Sequence, residues 1–345
     1  MLDINIISYG LGSIGCQIAK FILEKEGLKI VGAIDVAKEK IGKNLSSVLE
    51  LEKQLEISVS GNAEALFSNI GADLVIHATS SRLEEVYHQI LGCLKAGLNV
   101  ISTCEELSFP YSKHPSIASE LDRQAKAKGV TILGTGINPG FLMDTLPIML
   151  TSPCKEVKNI KVRRVMFSGN RRDSYQRKIG TSLSQDVFRK MINDEKITGH
   201  VGLFESISMI AAALRWKLSN IEVLPPEPII SENEVKTTCM TIKPGQVAGL
   251  KSVAYGLKGK EKVITLEFIS HANVKRPYDE ISIRGVPNIR QKIIGGIHGD
   301  IGTIAMAVNA IPKIMNAKPG LVTMIDLPIL SATLHDMREH VKWRK

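Results

Sequence analysis

The stretch INIISYGLGSIGCQIAKFILEKEGLKIVGAID, residues 4–35, constrains the fold more than any other. An apolar run, residues 4–9, leads into GLGSIG. A helical pattern follows, and a second apolar run ends in Asp35. Gly10, Gly12 and Gly15 stand in a G-x-G-x-x-G frame. The first glycine permits a tight turn, the second lets the backbone approach a pyrophosphate, and the third lets a helix sit close to its strand. With Ser13 and Ile14 they form a loop that places phosphates at a helix N-terminus, where N–H groups and the dipole favour anions. Asp35 follows Gly10 by 25 residues, close to the place of a carboxylate that receives ribose hydroxyls. The bland alternative is a glycine turn beside a surface Asp. The strand–loop–helix–strand context favours dinucleotide binding. Asp35 points to NAD because it repels a 2′-phosphate. Lys38 and Lys40 soften that preference, so NAD or NADP is expected.

The chain continues in the same manner. Residues 72–80, 98–103 and 129–141 read as strands, with a helical stretch at 82–97. Strands alternating with helices predict a parallel sheet covered on both faces. The expected fold class is α/β: a Rossmann-type doubly wound domain over 1–140, then an α+β domain over 141–300 with a mixed or antiparallel sheet. In the second domain NIKVRRVMFSG, KTTCMTIKP, KSVAYGLKG and KVITLEFISH look like strands, with turns at KPGQ and KGKE. SLSQDVFRKMI and GLFESISMIAAALRWKL read as helices. A helical segment over 301–345 is expected to return to the first domain.

Charge matters because it is uneven. The net charge is +9, and residues 161–190 hold nine Lys or Arg against two Asp. Such a stretch suits nucleic acid, a small anionic group, or plain solvated surface. It lacks the repeated aromatics of a base-stacking surface, so no nucleic-acid partner is expected. No apolar run is long enough to span a membrane. The N-terminus reads as a strand rather than a signal peptide. The five cysteines are scattered without a CxxC pair, which argues for reduced thiols, a cytoplasmic location and no metal site.

In an open parallel sheet ligands bind beyond the carboxyl ends of the strands. Three segments end there. HATSS brings His77, Ala78, Thr79 and Ser80; the small residues allow a cofactor to lie close, and His77 reads either as a satisfied strand-end histidine or as a substrate contact. GLNVISTCEELSFP brings adjacent carboxylates, Glu105 and Glu106. Burial and mutual repulsion raise a carboxylate pKa toward that of a general base; the alternative is a turn cap or a solvated pair. GTGINPGF brings Asn138, a candidate for substrate or the nicotinamide carboxamide, or part of a rigid turn. In the basic stretch, Arg171, Arg172 and Lys178 are candidates for an anionic substrate group. His200 reads either as a helix-entry residue or as facing the cleft.

GLGSIG, IHATSS, LNVISTCEELS, GTGINPGFLMDTLP and NAIPKIMNAKPGLVTMIDLP together resemble the 2,4-diaminopentanoate dehydrogenases, relatives of the dihydrodipicolinate reductases and of native amine dehydrogenases. The resemblance runs over nearly the whole chain. It implies oxidative deamination of 2,4-diaminopentanoate at C4 to 2-amino-4-oxopentanoate and ammonia, a step of anaerobic ornithine breakdown. It also implies reduction of NAD or NADP, no metal, and a second domain that serves substrate binding and dimerisation, hence a homodimer. Amine dehydrogenases of this group use a glutamate near the nicotinamide, and CEE is the matching place. Homoserine dehydrogenases end a NVVTANK segment in a catalytic lysine, which falls on Glu105. The HH-x-x-K-x-D-x-P-S-G-T signature of dihydrodipicolinate reductases is absent; KIGTS echoes its end and nominates Lys178, Thr181 and Ser182 for a carboxylate.

The chemistry sets what the residues must do. Hydride leaves carbon only when the amine is neutral, so a base takes a proton from the ammonium. A base also assists water attack on the iminium. Glu105 is assigned both roles, with Glu106 positioning or tuning it. The alternatives are a dehydrogenase of another amine such as 3,5-diaminohexanoate, a cyclic-imine reductase, and a dinucleotide-binding sensor. The glutamate pair weighs against the sensor.

Overall fold

The computed structural model describes residues 2–342. In chain order the strands are β1 (Ile4–Tyr9), β2 (Leu28–Ile34), β3 (Val59–Ser60), β4 (Leu74–His77), β5 (Asn99–Ser102), β6 (Thr131–Gly134), β7 (Glu156–Phe167), β8 (Asn220–Val223), β9 (Glu227–Ile230), β10 (Val235–Lys236), β11 (Thr241–Ile242), β12 (Val247–Lys258), β13 (Glu261–His271), β14 (Tyr278–Val286), β15 (Ile289–Ile294) and β16 (Gly320–Val322). The chain forms two compact units. One runs to Phe141 and resumes at Gly299; the other spans Leu142–His298. No helix among the described residues is long and apolar enough to cross a membrane.

The first unit is a seven-stranded sheet in the order β16-β6-β5-β4-β1-β2-β3. Every neighbouring pair is parallel. The order turns around β1 and β4, the switch point at which open α/β sheets bind ligands. The central strands are continuous apolar runs because helices cover both faces. Helix Leu83–Lys95 shows how: Leu83, Val86, Ile90, Cys93 and Leu94 recur at helical spacing and are buried. They join Val75, Val100 and Ile132 in one core. Each such side chain contributes about 1.5–3 kcal/mol on burial. The late segment supplies helix Gly299–Asn309, helix Ile311–Asn316 and β16 to this unit. The late helical segment is two helices, parted at Ala310 because Pro312 is tolerated only in a first helical turn, and β16 follows them.

The second unit carries a mixed sheet ordered β15-β14-β7-β13-β12-β8, with β9 also on β12. β7 and β13 run parallel, while β12 and β13 close an antiparallel hairpin through the KGKE turn. Three expectations need correction. KTTCMTIKP is not one strand: β10 and β11 flank a turn in which Thr237 Oγ1 accepts the N–H groups of Cys239 (3.2 Å) and Met240 (3.0 Å), and that local bonding displaces the ladder. The helix expected over 202–218 ends at Ala213, and Arg215 takes a φ of 52°. β14 and β15 were not foreseen. Their many charged residues hide an alternation in which Asp279, Ile281 and Ile283 face inward.

Two features fix the carboxyl edge of the first sheet. Gly134 ends β6, and a Cβ there would lie 2.5 Å from the carbonyl carbon of Leu107 and 2.6 Å from the Ser108 nitrogen. The 3-10 turn Glu105–Ser108 thus rests on β6 with no room for a methyl. His77 ends β4 with no exposed surface. Nδ1 lies 2.9 Å from Ser102 Oγ on β5, and Nε2 lies 2.8 Å from Gln89 Oε1 and 3.0 Å from Thr79 Oγ1. Nε2 therefore donates to Gln89 and Nδ1 accepts from Ser102, a neutral tautomer inferred from the partners. Burial pushes the ring pKa down to about 4, against a smaller opposing effect of Gln89.

Two outcomes follow from that edge. Gly134→Ala should cost about 1–3 kcal/mol, read by urea denaturation, because the turn must move off β6; a neutral result would show that the turn yields freely. Below pH 6.5 the unfolded chain protonates His77 while the native state resists until about pH 4. Native stability therefore falls with pH across that window, by about 1.4 kcal/mol per unit from this group. In His77→Gln the stability-against-pH slope should be shallower by that amount, and an identical slope would count against a neutral native ring.

Candidate active site

The loop from β1 into helix Ser13–Leu23 is built by close backbone approach. Gly10 has a φ of 92°, and a Cβ on it would stand 2.4 Å from the Ala78 carbonyl oxygen. A Cβ on Gly15 would stand 1.9 Å from the Gly10 carbonyl oxygen. Gly12 differs: no atom lies within 4 Å of where its Cβ would be. That open space, beside exposed Gly12 and Ser13, is the room a pyrophosphate needs. Gly12 is also the helix N-cap and supplies no side-chain cap, so the first N–H groups are left to an anion. Ile14 is half-buried in the first turn.

Asp35 stands just past β2 and is largely buried. Oδ2 accepts the Leu11 N–H (2.7 Å) and the Lys40 ammonium (3.3 Å), and Oδ1 accepts the Ala37 N–H (2.8 Å). Burial alone would raise its pKa, but the Ala37 and Leu11 N–H groups and Lys40 hold it below the usual range. A carboxylate offers about four acceptor positions, so a ribose hydroxyl still finds one. The sequence showed Asp35; Leu11, whose contribution is backbone, left no sequence signal.

At the ends of β4, β5 and β6 the expected residues take different parts. The Ala78 N–H reaches the Tyr9 carbonyl at 2.7 Å, which locks this loop to β1. Thr79 is exposed and donates to Gln89 at 2.8 Å; Ser80 donates to Glu85. His77, weighed as a substrate contact, is instead enclosed in the network described above. Asn138 is buried in the loop after β6, beside Ile137, whose N–H reaches Thr303 Oγ1 at 3.3 Å.

The two glutamates separate. Glu105 opens the 3-10 turn and is half-buried. Glu106 is 3% exposed and both its oxygens are engaged. Oε2 accepts the Leu83 N–H at 2.8 Å and lies 3.2 Å from His114 Nε2, while Oε1 takes Lys113 at 2.5 Å. Burial would raise its pKa; Lys113, the Leu83 N–H and His114 hold it low. Helix Leu83–Lys95 has Arg82 at its N-cap, which makes no side-chain cap, so Glu106 caps it from the next segment. These bonds suit a positioning part for Glu106, one of the two parts expected of it, rather than a second base. Lys113 and His114 were missed because they follow Glu106 by seven and eight residues across a turn, with no periodic signal.

The second unit gathers the basic candidates. Arg171 is buried with its guanidinium 4.2 Å from the centre of the Tyr175 ring, and it lines a cavity of about 180 Å³ with Asn170, Ile297 and His298. Tyr175 donates to Ser270 at 2.9 Å. Arg172 donates to Ser174 at 3.1 Å, a local surface bond. Lys178 is exposed. Thr181 is 3% exposed, and its hydroxyl has no hydrogen-bond partner among the described residues. His200 stacks on Phe268, centroids 4.3 Å apart, and its enclosed Nε2 likewise lacks a partner among those residues. Burial, then the nearby charges of Lys178 and Arg164, pushes its pKa down to about 3. A neutral ring next to two cations marks positive potential suited to an anionic group.

Comparison with known proteins gives the family and the fold. Residues 141–343 match the 2,4-diaminopentanoate dehydrogenase C-terminal domain, and residues 4–104 match the N-terminus of dihydrodipicolinate reductase. The chain is similar to the 2,4-diaminopentanoate dehydrogenase of Acetoanaerobium sticklandii, 36% identical over 98% of this chain and 97% of that one. It is 20% identical to an amine dehydrogenase of Streptomyces virginiae, over 95% of this chain and 97% of that one. Its fold is that of the amine dehydrogenase of Mycobacterium smegmatis, with a TM-score of 0.85 at 23% identity over 96% and 98% of the two chains. The chain therefore belongs to the 2,4-diaminopentanoate dehydrogenase family.

Proposed function

We propose that this protein oxidises 2,4-diaminopentanoate at C4, using NAD or NADP, to 2-amino-4-oxopentanoate and ammonia, a reaction of ornithine degradation. The observation that carries this reading is the full-length 36% identity to a dehydrogenase of that substrate. When bound, a nicotinamide dinucleotide supplies the hydride acceptor, and Gly10, Gly12, Ser13, Ile14, Gly15 and Asp35 hold it. Glu105 is the base. It takes the proton from the substrate ammonium, which leaves the nitrogen lone pair to form the iminium as hydride departs. Glu105 releases that proton to solvent, takes one from the water that attacks the iminium carbon, and returns it to the carbinolamine nitrogen; the C–N bond then breaks, ammonia leaves, and the hydroxyl proton passes to Glu105 to give the ketone. Glu106 does not share this role, because helix Leu83–Lys95 and Lys113 occupy it. The substrate carboxylate falls to Lys178 and Thr181, supported by the buried unpartnered Thr181 hydroxyl.

Formation of reduced nicotinamide from 2,4-diaminopentanoate tests the reading, and wild type that binds dinucleotide but turns over none of this amine would overturn the substrate. Glu105→Gln should lower kcat/KM about 10²–10⁴-fold with dinucleotide affinity kept. Glu106→Gln should instead lower stability by about 1–3 kcal/mol and leave kcat of the folded enzyme largely intact. The reverse pattern would exchange the two assignments. Lys178→Met and Thr181→Val should raise KM for 2,4-diaminopentanoate without changing turnover of pentan-2-amine, which has no carboxylate; equal effects on both amines would remove these residues from substrate recognition.

A further inference from the structure

Asp35 alone describes a site for NAD, because the carboxylate that receives the ribose 2′-OH repels a phosphate there. The loop after β2 alters this. Backbone bonds from Lys40 N and Ile41 N to the Ala37 carbonyl fold residues 37–41 back on themselves. The fold returns the Lys40 side chain to the start of the loop. Its ammonium donates to the Leu11 carbonyl at 2.9 Å and to Asp35 Oδ2 at 3.3 Å. It stays 26% exposed, so it is within reach of solvent and of a ligand. Lys38, two residues earlier, is exposed and makes no ion pair among the described residues.

We infer that Lys40 is the residue that lets this site accept both dinucleotides. The inference rests on the proposed use of NAD or NADP. With NAD, Lys40 stays on Asp35 and the carboxylate accepts the ribose hydroxyl through a remaining lone pair. With NADP, the long 3.3 Å bond to Asp35 is the one that yields. The ammonium turns to the 2′-phosphate while its bond to Leu11 keeps it in place, and its charge offsets the repulsion from Asp35. An ammonium has three donors, so the carbonyl, the carboxylate and a phosphate oxygen lie within its capacity. A phosphate and an ammonium form a charge-assisted bond stronger than a neutral one.

The test is equilibrium binding of NAD and NADP, without amine, to wild type, Lys40→Met, Lys40→Arg and Lys38→Met, followed by titration calorimetry. Lys40→Met should weaken NADP about tenfold or more and change NAD by less than about threefold. Lys40→Arg should keep NADP, and Lys38→Met should change neither. Equal loss of both cofactors in Lys40→Met would make Lys40 only a brace for the Leu11 loop and overturn the inference. So would a wild type that binds NAD but not NADP, or an unchanged ratio. A wild type that binds neither dinucleotide would overturn the proposed function itself, which separates that failure from a failure of Lys40 alone.

Discussion

At the carboxyl edge of the first sheet, backbone lies directly on backbone. A single methyl on Gly15 would stand 1.9 Å from the Gly10 carbonyl oxygen, and one on Gly10 would stand 2.4 Å from that of Ala78. These contacts hold β1, its helix and the β4 loop at one fixed distance. The space left open at Gly12 and the position of Asp35 follow from that distance. Because Asp35 bonds the Leu11 N–H, the nucleotide loop and the end of β2 are also a single polar unit. The same principle repeats at β6, where Gly134 lets the turn bearing Glu105 lie flat on the sheet. Packing that leaves no room for a methyl fixes the position of the turn that bears Glu105.

Two adjacent carboxylates at a strand end pose an electrostatic problem, since neither ionises easily beside the other. The fold resolves it by dividing them. Glu106 is surrounded by an N–H at a helix start, a lysine and a histidine, which favours its charged form. Its charge is neutralised locally, so its effect on Glu105 is weakened. In the same step an uncapped helix gains its cap. Of the two acids, Glu106 is a structural one that holds the turn bearing Glu105.

What could be read from the sequence was what depends on periodicity and on glycine. The β1–helix–β2 unit, the strands at 72–80, 98–103 and 129–141, and Asp35 all carry local patterns that only one geometry satisfies. What could not be read depends on contacts distant in sequence. His77 was left open because Gln89 and Ser102, which enclose it, lie 12 and 25 residues away. The part of Glu106 as a helix cap was not legible because the Leu83 N–H lies 23 residues back and its lysine sits across a turn rather than at helical spacing. β14 and β15 were missed because charged residues paired across strands, such as Arg290 with Glu280, obscure the apolar alternation.

The basic stretch 161–190 looked like a strongly positive surface, and its charge is largely answered in the fold. Lys161 and Arg163 both meet Glu267. Arg164 pairs with Asp279 at 3.4 Å, with both side chains almost fully buried. Arg177 meets Asp173, and Arg189 faces Asp186. A buried pair such as Arg164–Asp279 contributes little net stability, since desolvation offsets its attraction. It does fix geometry: Asp279 accepts the Ile297 N–H at 2.8 Å, and Arg164 donates to the Ile297 carbonyl, so the pair clamps the loop beside Arg171. Lys178 forms no ion pair among the described residues, and its field is felt at His200. Lys190 also forms no ion pair among the described residues, so what distinguishes Lys178 from it is nearness to the buried imidazole of His200.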